Sequence, residues 1–446
     1  MAWPRLLLSA PRLRVRANVR TTNQIRKEMR IVAITVLIAL ATPSIMARAD
    51  TLSSRKVIAA VLEENPRLQA ARARWKMMKQ RVPQARAWDD PMIGVDIERH
   101  GTTRFDTYSD NEWMASQAIP ISGKNLARGR AATAEAIAAF EEVRRMELDL
   151  VSEARASLAR LAGAYGQLQI NRQNQELLRQ FTEISRAKYE SGTQSQADVL
   201  LAQTDLARLA EAQAQFERDV SEQQTRLNVL MNRPVSSPLS HAYNLTFTPI
   251  SWSQEKLQEF ALAHRPEVTI ARHRIDAEKA RVQLAKRQWI PDPRLRVEAR
   301  QFPGNGIQEY DTGVFFEMPW TNFRKYSASV AEAKNGLEVA EQELEAIRTE
   351  VRGLVRDQLT KIQTAAHNYD LFRHDISPLA RQAVEANRSS YESDKTSFLD
   401  LVTARRTLQD VDSAQLQHLI DHEVAVAELD AIIGQTPRNI MEGAGK

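Results

Sequence analysis

His418, His422 and Glu423 are the chain's best set of metal donors. The two imidazoles stand four positions apart, which on a helix puts them on one face, where both could ligate zinc or copper. The same spacing describes a solvated or partly packed pair. His367 and His374, seven apart, also share a face and carry no more. Asp198 and Asp400 each follow a short polar turn. A carboxylate there can cap the returning helix, or join an acidic ring that favours cations if copies of the chain assemble symmetrically. Beyond these the chemistry is thin. The chain has no phosphate-binding G-x-x-x-x-G-K-[ST], no G-x-G-x-x-G, no G-x-S-x-G and no H-E-x-x-H. With no cysteine in 446 residues, disulfide frameworks, zinc fingers, thiolate catalysis and iron–sulfur clusters are excluded. No catalytic, cofactor-binding or metal-binding residue is assigned, and an enzyme is not expected.

Charge points away from nucleic acid. The net charge is +5, yet residues 1–49 alone hold nine basic side chains against Glu28, so residues 50–446 carry −3. The basic segment reads as an export signal: Arg26, Lys27 and Arg30, then the apolar run Ile31 to Ala41, then Ala47-Arg48-Ala49 before Asp50. Eleven apolar residues are too few for a bilayer-spanning helix, which takes ~20. Met29 is a plausible true start, and mature protein is expected from Asp50.

The chain repeats itself after about two hundred positions. Asn65-Pro66 echoes in Arg265-Pro266, Trp88 in Trp289 and Ile119-Pro120 in Met318-Pro319. Tyr189-Glu190-Ser191 with Ser195 and Asp198 returns as Tyr391-Glu392-Ser393 with Ser397 and Asp400. A period this long is a duplicated unit and not a solenoid. The boundaries read as 50–234 and 253–437, joined by a Pro- and Ser-rich linker over 235–252 and followed by a tail, 438–446.

Each half opens with a helical pattern, 53–88 or 254–289, that ends before Pro91 or Pro293. Period-two segments follow. Ile93, Val95 and Ile97 oppose Gly94, Asp96 and Glu98, and Leu295, Val297 and Ala299 oppose Arg296, Glu298 and Arg300. Second strands are expected at 111–119 and 309–318. Each hairpin, of strands about ten residues long, suits a tilted membrane-spanning pair or an ordinary soluble one. Beyond them the period turns helical, with no proline from Ile121 to Asn232 and only Pro378 between Thr321 and Gln435. A helix from Lys124 to Lys188 is a rod, not a globular core element. Four strands cannot close a barrel, and an open edge in lipid leaves backbone groups unpaired, so membrane strands would have to be pooled among chains.

On these segments the chain resembles the TolC-like outer-membrane efflux proteins, over roughly residues 52–437. The strongest match is Tyr391 to Leu401, similar to the family's segment at the periplasmic tip of a helical hairpin, with Tyr189 to Leu200 as its first-repeat counterpart. Gln117 to Lys124 is most similar to the heavy-metal, cobalt–zinc–cadmium branch. The resemblance implies a mainly α fold: long coiled-coil helices forming a trimeric α-barrel tunnel, with a shared 12-stranded outer-membrane β-barrel. It implies a homotrimer in outer-membrane lipid, docked to a periplasmic adaptor and an inner-membrane pump of the resistance-nodulation-division type. No nucleic acid is expected. It places Tyr391, Asp400, Asp198 and Tyr189 at a periplasmic gate. Adaptor docking falls to Ser191, Gly192, Thr193, Ser393, Asp394 and Lys395. Two departures stand out: no N-terminal lipid-anchor cysteine, and Thr403 where some members carry a second acid. A periplasmic coiled-coil adaptor or scaffold without a pore is the alternative.

Overall fold

The computed structural model describes residues 53–98, 110–239 and 245–434. The signal region 1–49, the hairpin loop 99–109 and the tail 438–446 lie outside the described residues. Two short helices open the first repeat, α1 (Ser54–Glu64) and α2 (Pro66–Arg86), and lead to strands β1 (Met92–Glu98) and β2 (Asp110–Ala118). Next comes α3 (Lys124–Glu190), which returns as α4 (Gln196–Leu230). The second repeat follows the same order with α5 (Gln254–His264), α6 (Pro266–Arg287), β3 (Pro293–Phe302) and β4 (Gly306–Phe316). It ends in α7 (Phe323–Leu371), a π turn (Phe372–Ile376), α8 (Ser377–Glu392) and α9 (Phe398–Ile432). Helices α2 and α6 stop at Arg86 and Arg287, a few residues short of the prolines expected to end them.

The asparagine and arginine before the repeat-start prolines have a defined job. Asn65 caps α2 through Arg67 N (2.9 Å) while its amide donates to Leu230 O at the end of α4 (2.8 Å). Arg265 reaches the equivalent place, Ile432 O at the end of α9 (3.3 Å). Each repeat is thus closed on itself, and each has its own apolar core. A third core lies at the far end and draws on both: Leu178, Phe181 and Ala202 with Val384, Tyr391, Phe398 and Leu401.

Helix α3 has 67 residues, about 100 Å at 1.5 Å per residue. It packs on α2 and α6 near the sheet and on α4 and α9 near the far end, while α7 packs on α6 and α9. The helices therefore stand side by side as a wall. Close contact between α3 and α9 comes from two glycines: a Cβ on Gly163 would lie 2.1 Å from Ile420 Cδ1, and one on Gly166 2.6 Å from Leu416 Cδ2.

The four strands form one antiparallel sheet in the order β1-β2-β3-β4. Register puts Ile93, Ala115, Val297 and Thr312 in one row and Val95, Trp113, Ala299 and Tyr310 in the next on the same face. The opposite face carries Asp96, Glu112, Arg300 and Glu309, then Gly94, Met114, Glu298 and Asp311. Polarity is inverted relative to a soluble sheet. Ile93, Val95, Val297 and Tyr310 are exposed, whereas Asp110 and Glu298 are buried. Arg300 gathers Asp110, Glu112 and Glu309 around itself, and Arg296 pairs with Glu298 (2.6 Å).

Candidate functional site

The joint between sheet and rod is made by the segment Gln117 to Lys124. Gly123 takes a left-handed φ of +70° at the start of α3, a conformation glycine adopts without strain. A Cβ there would strike the Arg287 guanidinium, which donates to Ser122 O (2.7 Å). Asp292, from the second repeat, accepts from Ser122 N (2.8 Å), Ser122 Oγ (2.9 Å) and Lys124 Nζ (3.0 Å). Burial alone would raise its pKa. The three donors outweigh burial and leave it below the ordinary carboxylate value.

At the other end the two hairpins turn in the same way. Ser191 N, Gly192 N and Thr193 N bond to the carbonyls of Ala187, Tyr189 and Lys188. Ser393 N, Asp394 N and Lys395 N bond to those of Ser389, Tyr391 and Ser390. The left-handed position is Gly192 in one turn (φ +76°) and Asp394 in the other (φ +56°), and Asp is among the few side chains that tolerate it. Ser191, Gly192, Thr193, Ser393, Asp394 and Lys395 are all exposed.

Of the four residues expected at a gate, the turns treat each pair differently. Tyr189 is half-exposed, whereas Tyr391 is fully buried in the third core, tilted against Phe398. Burial raises the Tyr391 phenol pKa and the Ser185 hydroxyl pulls it back, yet neither hydroxyl makes a well-aligned hydrogen bond. Asp400 is exposed and forms a capping box: its Oδ2 accepts from Ser397 N (3.2 Å) and Oγ (2.7 Å), and Ser397 Oγ accepts from Asp400 N (3.2 Å). Asp198 sits in the first turn of α4, where Ser195 caps Ala197 N instead, and partial burial raises its pKa.

Two ionic contacts between the hairpins were not readable from spacing. Lys188, near the end of α3, donates to Tyr391 O (2.7 Å) and Glu392 O (3.3 Å), pairs with Asp394, and lies 4.9 Å from the Tyr391 ring. A cation at carbonyls that end a helix is favourably placed. The hydrogen bond from Lys188 holds the exposed Asp394 carboxyl below its ordinary pKa. Two turns further along α4, buried Asp205 meets buried Arg405 (3.5 Å) and half-exposed Arg406. Arg405 also reaches Asn174 Oδ1 and Gln409 Oε1. The available signal was a charge at i+7 from Asp198 and two at i+5 and i+6 from Asp400.

His418 and His422 have separate partners. His422 is buried, stacked on Phe247 (4.2 Å) and 3.1 Å from Glu423 Oε1, while His418 packs edge-on to Phe372. Among the described residues no three His, Asp or Glu side chains converge on a metal position. None of the described helices is long and apolar enough to cross a membrane.

Two solved outer-membrane channels share this fold. OprN superposes with a TM-score of 0.74 at 17% identity, over 85% of this chain and 89% of that one. VceC of Vibrio cholerae does so with a TM-score of 0.73 at 19% identity, over 87% of this chain and 97% of that one. Among curated relatives, the probable efflux pump outer membrane protein SepC of Pseudomonas putida is 23% identical over 53% of this chain and 49% of its own length. The nickel-cobalt-cadmium resistance protein NccC of Alcaligenes xylosoxydans is 24% identical over 63% of each. The chain thus spans about half the length of SepC. The outer membrane efflux protein profile matches residues 57–233 and again 257–435, the two halves seen in both sequence and fold, and the chain belongs to that family.

Proposed function

We propose that the protein is the outer-membrane channel of a tripartite efflux system, a passive duct with no catalytic step of its own. The observation that carries this reading is the sheet: apolar and exposed on one face, charged and paired on the other, with β1 and β4 as unpaired edges. Such a sheet suits lipid on its apolar side and water on its charged side, provided its edges pair with copies of itself. Three chains would give a homotrimer with a twelve-stranded barrel, and the helix walls would join into a periplasmic tunnel. A periplasmic adaptor would dock at Ser191 to Thr193 and Ser393 to Lys395, bringing an inner-membrane pump of the resistance-nodulation-division type. Tyr391, Asp400, Asp198 and Tyr189 would line or support the gate. Two tandem repeats, 50–234 and 253–437, build the duct. Membrane fractionation tests this: a heat-modifiable trimer in the outer membrane supports it, and a soluble periplasmic chain removes it.

For cargo the proposal takes heavy-metal cations. The Gln117 to Lys124 segment supports this, as do the carboxylates Asp96, Glu112, Glu298, Glu309 and Asp311 on the sheet's charged face. Loss of nickel or cobalt tolerance in a deletion strain, restored by the gene, is the expected result. Unchanged metal tolerance with lost tolerance to organic solvents would assign the cargo elsewhere.

A further inference from the structure

Charge is sorted between the two outer helices of the wall. Near the sheet, α3 packs between α2 and α6, and α6 packs on α7, which leaves α2 and α7 as the two borders. Helix α2 holds seven basic side chains and no acidic one. Along α7, residues 332–350 hold six glutamates against Lys334 and Arg348. A few of these charges are paired within the chain. Arg67 and Arg72 reach Glu153 and Glu147 on α3, and Glu343 faces Arg274 on α6 at 4.0 Å. Arg74, Lys76, Arg81, Glu332, Glu341 and Glu350 are exposed and have no ionic partner among the described residues.

Contacts across the wall fix the heights of these side chains. Helix α2 runs toward the sheet and α3 away from it: Arg72 meets Glu147 (3.0 Å), and Arg86 lies against Gly129. Arg281 on α6 pairs with Glu135 on α3, Glu278 lies against Gly336 on α7, and Arg274 faces Glu343. Followed through these contacts, Arg81 stands level with Glu332, Lys76 with Glu341 and Arg74 with Glu343. Arg74, Arg81 and Glu343 also line one concavity of about 930 Å³, so they agree in face as well as in height. Between the charged rows both borders carry small exposed side chains, Ala70 and Ala73 on α2, Ala331 and Ala346 on α7. Small residues let two backbones approach, and flanking charges choose partner and register, as in a coiled coil. One chain cannot join its own borders, because α3 and α6 stand between them. A second copy can, through a head-to-tail contact that makes a ring when its rotation closes.

We propose that the basic α2 border of one protomer docks on the acidic α7 border of its neighbour through the tiers Arg81–Glu332, Lys76–Glu341 and Arg74–Glu343, so that charge selects a second copy of this chain and sets its height. This assigns a helical surface to the trimer proposed above and rests on that reading. Exposed pairs contribute little stability singly; complementary rows of them steer encounter and reject wrong partners.

Lys76→Glu with Arg81→Glu makes both borders acidic and breaks no ion pair within the chain. Outer-membrane fractions of this variant should lose the heat-modifiable trimer. Adding Glu332→Arg and Glu341→Arg reverses the other border and should restore it. The chain's lack of cysteine permits a second readout. Ala73→Cys with Gln342→Cys in one chain should oxidise to linked dimers and trimers, and either substitution alone should give only monomer on a denaturing gel. Wild-type amounts of trimer from the two-residue acidic variant, no recovery in the four-residue variant, or no cross-link in a chain that still assembles would each overturn the docking surface. Trimer retained with efflux lost would put an adaptor on this border instead, and also overturns it. An unsubstituted chain that forms no trimer would remove the channel reading itself, a result distinct from the others.

Discussion

Asp205 on α4 and Arg406 on α9, 201 positions apart, form a two-pronged ion pair, with Nε 3.1 Å from Oδ2 and a second bond from Nη2 to Oδ1. The same carboxylate faces Arg405, which is 2% exposed. It is one of the charged contacts that tie the first repeat to the second, with Lys124–Asp292 and Arg155–Asp430 nearer the sheet.

Removing Asp205 therefore leaves a buried guanidinium uncompensated. Asp205→Ala should cost about 3–5 kcal/mol, the range for stripping one partner from a buried pair. Arg406→Ala should cost much less, because that side chain is 42% exposed. Thermal melts of the purified protein separate the two, and equal losses would contradict this ranking.

Asp292 gives a pH signature. Its folded-state pKa is lowered from 3.8, so it adds stability above the unfolded pKa and loses it as pH falls through the folded one. Asp292→Asn should be less stable than wild type at neutral pH, with the gap closing on acidification below the ordinary carboxylate range. A gap that widens in acid would contradict the assignment.

The α3–α9 crossing predicts a context-dependent glycine effect. Ala is normally better than Gly inside a helix by about 1 kcal/mol. Gly163→Ala should nonetheless destabilise, by about 1–3 kcal/mol of overpacking, because Ile420 is 6% exposed and has little room to move. Ile420→Ala in the same chain should recover much of the loss.

On the sheet, Val95→Arg and Val297→Arg should each cost about 2–4 kcal/mol if these rows face the middle of the bilayer. Both should reduce assembled protein in the outer membrane. Wild-type amounts of both variants would sink the barrel.

At the tip, Asp400→Asn keeps an oxygen that can accept from Ser397, so melting should change little, whereas cation selectivity in a planar bilayer should fall if the charge lines the tunnel. Asp400→Ala loses the capping box as well, and about 0.5–2 kcal/mol with it. Selectivity unchanged in both variants would reduce Asp400 to a cap.

Much of the fold was legible because it rests on local rules. Period two over residues 92–98 and 294–300, prolines at 66 and 266, and a proline-free run after Ile121 each constrain backbone or face within a few residues. Repetition then doubled every signal. The Asp205–Arg405–Arg406 contact was not legible, since it depends on how two helices from different repeats approach each other. Nor was the π turn. Pro378 announces a disturbance, but a single extra residue in the ladder leaves no compositional trace. Tyr391 was placed at the tip by resemblance, while its burial follows from the Phe398 and Lys188 neighbours that only the fold assembles.

The inverted sheet also has a kinetic consequence. On the trimer proposed above, a chain that has not yet assembled presents Ile93, Val95, Trp113, Val297 and Tyr310 to water beside the β1 and β4 edges. Exposed apolar strands with free edges are templates for aggregation. The time a lone subunit spends in the aqueous compartment is therefore the dangerous interval of its life. Yield should depend on a holding chaperone and on subunit concentration more steeply than on the stability of the finished protein.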